Sequence, residues 1–286
     1  MKLIDCFMYF DEDLVLDIRL NILNDKVDKF IIVEATKNHA GKDKKLNFNI
    51  ENFSKFKNKI IYIVVDDMPI NVKSPKKGWH ENHVRDQFQR NAIKRGYKDF
   101  SDDDLIMISD IDEIPNPKKL DEFNVKNKFA CFLQKNFQSK INLLNVSDGE
   151  WSGTKICQKK YLKSPQWLRD IKGRSYPFWR LDILFSKMKY NSIEYVENGG
   201  WHFTNLRTAE ELKKKLENFG HNAEFLESGL NVNDITKMME NNLAVYDYEA
   251  DMKGNKWSGK PLIKTETKEL PQYILLNKEK YTDWFS

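Results

Sequence analysis

Four short, almost purely apolar runs in the first half of the chain limit its fold more than any other feature. They are Leu3 to Phe10, Lys29 to Glu34 (KFIIVE), Lys59 to Asp66 (KIIYIVVD) and Leu105 to Ser109 (LIMIS). Each has strand length, and the two central ones carry the β-branched residues typical of strands covered on both faces. Helical patterns fall between them. Asp11, Glu12 and Asp13 suit a first helical turn, and Val15, Ile18 and Ile22 then recur at i, i+3 and i+7 beside Leu16, Leu20 and Leu23. Val84, Phe88 and Ala92 stand four apart between Glu81 and Arg95, with Gly96 placed to stop the helix. Strand, helix, strand, strand, helix, strand in this order implies an α/β fold. Its central sheet is mostly parallel with flanking helices, and such sheets bind ligands beyond the carboxyl ends of their strands.

The 286 residues, 40% apolar and 13% aromatic, can fill one real core, while 12 Gly and 8 Pro are too few for a low-complexity chain. The 47 basic and 43 acidic residues leave a net charge of +4, which argues against nucleic acid as a partner. No stretch approaches the ~20 apolar residues of a transmembrane segment, and Asp5 interrupts the apolar N-terminus before a signal-peptide core can form. Cys6, Cys131 and Cys157 are odd in number and widely spaced, so the expectation is reduced core thiols in a cytoplasmic setting. The second half is less regular. Trp151, Trp167, Trp179 and Trp201 cluster there, and Leu212, Leu216 and Phe219 mark a tail helix from Thr208 to Phe219 whose Lys213, Lys214 and Lys215 form a solvated face.

The sharpest motif is Ser109-Asp110-Ile111-Asp112-Glu113-Ile114-Pro115, directly after the fourth apolar run. Side chains two apart on an extended chain share a face, so Asp110 and Asp112 are expected to turn two carboxylates toward one ligand. Such oxygen donors suit Mg²⁺ or Mn²⁺, which keep positions open for waters and phosphate oxygens. A nucleotide diphosphate would complete the site. A bare Asp-x-Asp is also an ordinary acidic turn; its place after a buried strand favours the functional reading. Phe88 marks the buried face of the preceding helix, which leaves Arg90 and Asn91 on an exposed flank within reach of a nucleotide. Glu34, Asp66 and Asp67 end predicted strands and could accept from a base edge or ribose hydroxyls, although turn acids explain any one of them equally well. In Gly199-Gly200-Trp201-His202 the glycines allow a ligand close to the backbone, the Trp201 indole offers a face to a sugar ring, and His202 can complete a metal shell. His221 has a weaker claim, and His39, His80 and His83 show no ligand-like spacing.

A series of segments then carries a resemblance, in order along nearly the whole chain. It comprises Ile4-Asp5-Cys6-Phe7 with Arg19-Leu20-Asn21, Ile31-Ile32-Val33-Glu34, Val65-Asp66-Asp67-Met68-Pro69, Gln89-Arg90-Asn91-Ala92-Ile93, Ser109 to Pro115, Trp151-Ser152-Gly153-Thr154-Lys155, Gly200-Trp201-His202-Phe203 and Leu270-Pro271-Gln272-Tyr273. Together these resemble glycosyltransferase family 17. The resemblance implies a GT-A-like nucleotide-binding fold as a single domain over 1–286, with a nucleotide-sugar-binding half (1–125), an acceptor half (126–205) and a C-terminal helical extension (206–286). It also implies inverting transfer of N-acetylglucosamine from a UDP-sugar to a glycan, dependent on Mn²⁺ or Mg²⁺. Asp110 and Asp112 become the Asp-x-Asp pair, with Asp110 also on the nucleotide-sugar; His202 becomes a further ligand, and Trp151 and Trp201 face the acceptor. The N-terminal anchor of animal members is not expected here, and without it a microbial or viral polysaccharide is expected as acceptor.

Inverting transfer needs positive charge at the departing phosphate, which the metal and Arg90 would supply, and a carboxylate to take the acceptor's proton. Glu113 and Asp182 are the candidates for that base. A metal-dependent phosphatase or nuclease also clusters carboxylates, but an aspartyl-phosphate enzyme wants its Asp-x-Asp after the first strand. A non-catalytic glycan-binding module explains the tryptophans but not paired acids after a buried strand.

Overall fold

The four apolar runs become the parallel core of the sheet. Strands β1 (Leu3–Met8), β2 (Lys29–Ala35), β3 (Ile60–Val65) and β4 (Leu105–Ile108) pair side by side in the order β3-β2-β1-β4, all parallel. The crossovers carry α1 (Asp13–Leu23), then α2 (Glu81–Ala92) and α3 (Lys94–Tyr97). The computed structural model describes residues 1–70, 72, 81–147, 149–173, 177, 179–190, 193–218, 222–246, 256–257 and 259–286. Beyond β4 come β5 (Glu113–Pro115), α4 (Pro117–Leu120), β6 (Phe129–Gln138), β7 (Leu143–Leu144), β8 (Glu150–Gln158), α5 (Pro165–Asp170), β9 (Lys172–Gly173), β10 (Lys189–Tyr190) and β11 (Ile193–Thr204). The chain closes with α6 (Ala209–Asn218), α7 (Asn222–Ser228), α8 (Val232–Glu240), β12 (Ile263–Lys264) and α9 (Gln272–Leu276).

The sheet widens by antiparallel pairing. Strand β8 lies between β4 and β6 and is antiparallel to both. Strand β11 runs parallel to β6 and antiparallel to the short β5. Alternation along β1 sends Phe7 to one core and Ile4 and Cys6 to the other. The first core buries Leu16, Leu20, Phe30, Phe137 and Phe203 under α1; the second buries Ile31, Val33, Ile106 and Ile108 with Ala92 of α2 and Leu168 of α5. Each fully buried Ile, Leu or Phe contributes about 1.5–3 kcal/mol. Strand β3 differs from expectation: it is the sheet edge and mostly half-buried, so its apolar run is not covered on both faces.

Two helices also depart from their patterns. In α2 the buried side chains include Arg85, Gln89 and Arg90, while Val84 and Phe88 are half-buried. The inward face is polar because Arg85 meets the carbonyls of His39, Pro69 and Ile70, Gln89 meets His39 and the Val33 carbonyl, and Arg90 meets Asp110, which the apolar spacing could not reveal. Gly96 lies within α3 rather than stopping a helix, and a Cβ there would come 2.7 Å from Ile31 Cγ2. The tail helix starts where expected: Thr208 and Glu211 each accept from the other's backbone N–H, a capping box, and Leu212 and Leu216 are buried. Phe219, His80 and His221 lie outside the described residues. The three cysteines are free and buried. Among the described residues no helix is long and apolar enough to cross a membrane.

Candidate active site

The chain does not stay extended after β4. Residues 110–113 form a tight turn closed by the Glu113 N–H on the Asp110 carbonyl at 3.1 Å, so Asp110 and Asp112 point to different neighbours instead of sharing a face. Arg19 fixes this turn from beneath. It is fully buried, binds Asp5 through Nε and Nη2 at 2.8 and 2.6 Å, and donates to Ser109 Oγ. Its Nη1 reaches the carbonyls of Asp110, Ile111 and Glu113 at 3.1, 3.0 and 2.9 Å. One side chain therefore sets the curvature of the whole motif.

Asp110 is spanned by two arginines. Arg90 Nη2 donates to Oδ1 at 3.1 Å and Arg169 Nη2 to Oδ2 at 2.9 Å. Burial pushes the Asp110 carboxyl up, but the Arg169 and Arg90 charges more than reverse this and hold it well below the usual carboxylate range. Arg90 is 7% exposed, not on an open flank, and its Nη1 also binds Asp86 and Gln166 at 2.7 and 2.6 Å. Asn91 accepts from the Gln166 N–H and so anchors the start of α5. Arg169, Gln166 and Arg19 were not singled out from the sequence as site residues. Arg19 lay inside an apolar stripe, a signal that a charge so placed must be paired.

Glu113 is fully buried, and its acceptor positions are taken. Trp151 Nε1 donates at 2.6 Å, Arg169 Nη1 at 2.8 Å and the Asp110 N–H at 3.0 Å, with a further bond from Arg169 Nη2. A carboxylate offers about four lone-pair sites, so none remains for an acceptor's proton; Glu113 positions Arg169 and Trp151. Asp182 is exposed, and its partners Arg180 and Lys189 come from its own stretch of chain rather than from the turn. Their hydrogen bonds hold its carboxyl low, which weakens it as a base.

Asp112 sits in a different setting. Its Oδ2 lies 3.6 Å from His202 Nε2 on β11, and its carbonyl accepts from the Phe203 N–H at 2.8 Å. Burial pushes its carboxyl up and the His202 ring, then Lys215, bring it below the ordinary value. It borders a cavity of about 180 Å³ also lined by Asp11, Glu12, Asn205, Arg207 and Lys215. Lys215 thus faces this cavity and Asn205 Oδ1 rather than a solvated surface. His202 stacks on Trp151, with ring centroids 4.5 Å apart. Adjacent strand residues face opposite ways: Trp201 packs against the first core and donates Nε1 to the Glu269 carbonyl at 2.7 Å. The tryptophan beside the histidine is therefore Trp151. Gly199 and Gly200, which precede Trp201, bring strand against strand rather than against a ligand. A Cβ on Gly200, whose φ is +145°, would come 2.1 Å from the Ile114 carbonyl of β5.

The remaining acids lie apart from this cluster. Glu34 is buried and accepts from Lys44, from the backbones of Asn47 and Phe48 at 2.8 and 3.0 Å, and from Tyr62 at 2.8 Å, which fastens the chain after β2. Asp67 pairs with Arg95 at 2.8 Å, and Asp66 is exposed just past β3. His39 binds Gln89 at 3.0 Å. Among the described residues no group of three or more His, Cys, Asp or Glu is arranged to hold a metal. At the turn Asp112 and His202 face each other as an oxygen and a nitrogen donor 3.6 Å apart.

An α/β sheet with a carboxylate turn held at the carboxyl end of a central parallel strand defines an enzyme site of the ligand-crevice kind. Residues 1–137 match glycosyltransferase family 17. Through this region, which contains the Asp110–Asp112 turn, the chain is similar to that family of glycosyl-transferring enzymes. No curated protein matches the chain.

Proposed function

We propose that the chain is an inverting, metal-assisted transferase that moves N-acetylglucosamine from a UDP-sugar to a glycan acceptor at the turn after β4. The observation that carries this reading is the separation of roles within the turn, with Asp110 neutralised by two arginines and Asp112 set beside His202 at a cavity. Asp112 and His202 would hold the ion, which as a Lewis acid offsets charge on the departing diphosphate. Arg90 and Arg169 keep Asp110 ionised and oriented, and their positive field extends over the same crevice. Arg19 fixes the carbonyls of the turn, so Asp112 keeps its place as charge builds beside it. Glu113 acts through Arg169 and Trp151 rather than on substrate.

Incubation with UDP-N-acetylglucosamine, UDP-glucose and UDP-galactose, with and without Mn²⁺, tests the reading. Slow UDP release that needs Mn²⁺ and prefers one sugar is expected. Cleavage of simple phosphate esters with no release from any UDP-sugar would transfer the site to the phosphatase class.

A further inference from the structure

Gln134, Asn136 and Gln138 alternate onto one face of β6, opposite Phe137. Strand register extends this polar row sideways, with Trp151 across from Gln134 on β8 and His202 across from Asn136 on β11. Gln134 is 0%, Gln138 1% and His202 4% exposed. Yet Gln134 Oε1, both amide atoms of Gln138 and Nδ1 of His202 have no hydrogen-bond partner. An unsatisfied buried polar atom forfeits the hydrogen bonds it made with water, so several along one face of one sheet call for an occupant that supplies partners.

We propose that this face binds the transferred sugar, with the Gln138 amide and Gln134 Oε1, whose own amide nitrogen donates to Thr154 Oγ1 at 3.3 Å, bonding its hydroxyls and the stacked Trp151–His202 pair forming one wall. The inference rests on the transferase reading of the Asp112 turn and names what lies next to it. A primary amide offers both donors and acceptors, as a hydroxyl does, and so suits a neutral polyol better than a charged group. Sheet order supplies the direction. Strands β1 to β3 flank β4 on one side, and the polar row lies on the other, past β8. A sugar hanging from a diphosphate at Asp112 would therefore meet it.

Titration calorimetry with Mn²⁺, using UDP and the three UDP-sugars above, tests this on the wild type, Gln138→Leu and Gln134→Met. The expected result is unchanged UDP affinity and thermal stability no lower than wild type. The extra affinity of the best UDP-sugar over UDP should fall about tenfold or more, the worth of one or two hydrogen bonds. Variants that keep wild-type affinity for both ligands, or lose both in parallel, overturn the proposal. So does a wild type that binds UDP and prefers no UDP-sugar to it. A wild type that binds neither UDP nor any UDP-sugar refutes the transferase reading itself, and this inference with it.

Discussion

Asp110 and Asp112 stand two residues apart in one turn and occupy opposite settings. On the Asp110 side, Arg90, Arg169 and Glu113 interlock so that each charge has a partner. On the Asp112 side, a carboxylate and a histidine stand 3.6 Å apart beside a cavity. The lesson is that an Asp-x-Asp motif need not present two equivalent ligands. One acid is clasped by two arginines, and the other faces a histidine at the edge of a cavity.

The comparison breaks most readily at Arg169. Replacing it with Met leaves Asp110 and Glu113 short of a partner, and removing one member of a buried ion network costs about 3–5 kcal/mol; urea unfolding should show that loss. A cost below about 1 kcal/mol would mean that the Asp110 side is not the frame. Asp112→Asn should do the reverse, with near-normal stability and transfer slowed by about a hundred- to a thousandfold, the effect of losing a preorganised charge at the reacting centre. Equal rate losses in Asp110→Asn and Asp112→Asn, both with intact stability, would erase the distinction. His202→Ala should raise the Mn²⁺ needed for half-maximal activity by about ten- to a hundredfold, on the scale seen for groups that support a metal site; an unchanged requirement removes the histidine from ion binding. The smallest effect belongs to Trp201→Phe, which loses one hydrogen bond to the Glu269 carbonyl. It should cost about 0.5–1.5 kcal/mol in thermal unfolding with acceptor KM unmoved, whereas a raised acceptor KM would return Trp201 to the site.

Much of the frame was legible and much of the site was not, for separable reasons. Strands β1, β2 and β4 and helix α1 announced themselves because apolar periodicity and burial agree there. Helix α2 was visible as a helix but misread in orientation, because its inward face carries Arg85, Gln89 and Arg90, and an apolar stripe reports burial only where the neighbour is apolar too. The turn at 110–113 depends on Arg19, about ninety residues earlier in the chain, and Asp110 on Arg169, about sixty later; no local pattern encodes either distance. Trp201 and His202 were paired as sequence neighbours, whereas strand alternation separates them and brings Trp151 from β8 to the imidazole.

The place of β8 also orders events during synthesis. The span matching the family ends within β6, yet in the finished sheet β4 and β6 do not touch, because β8 lies between them. A ribosome that has released only the family span has therefore produced the carboxylate turn without β8, Arg169 or His202. Strand β4 then has one open edge and β6 has no final neighbour, a condition in which nascent strands are prone to wrong partners. The acids and the arginine that curves their turn are made early, but Arg169 and His202, which meet the two carboxylates, are made only later.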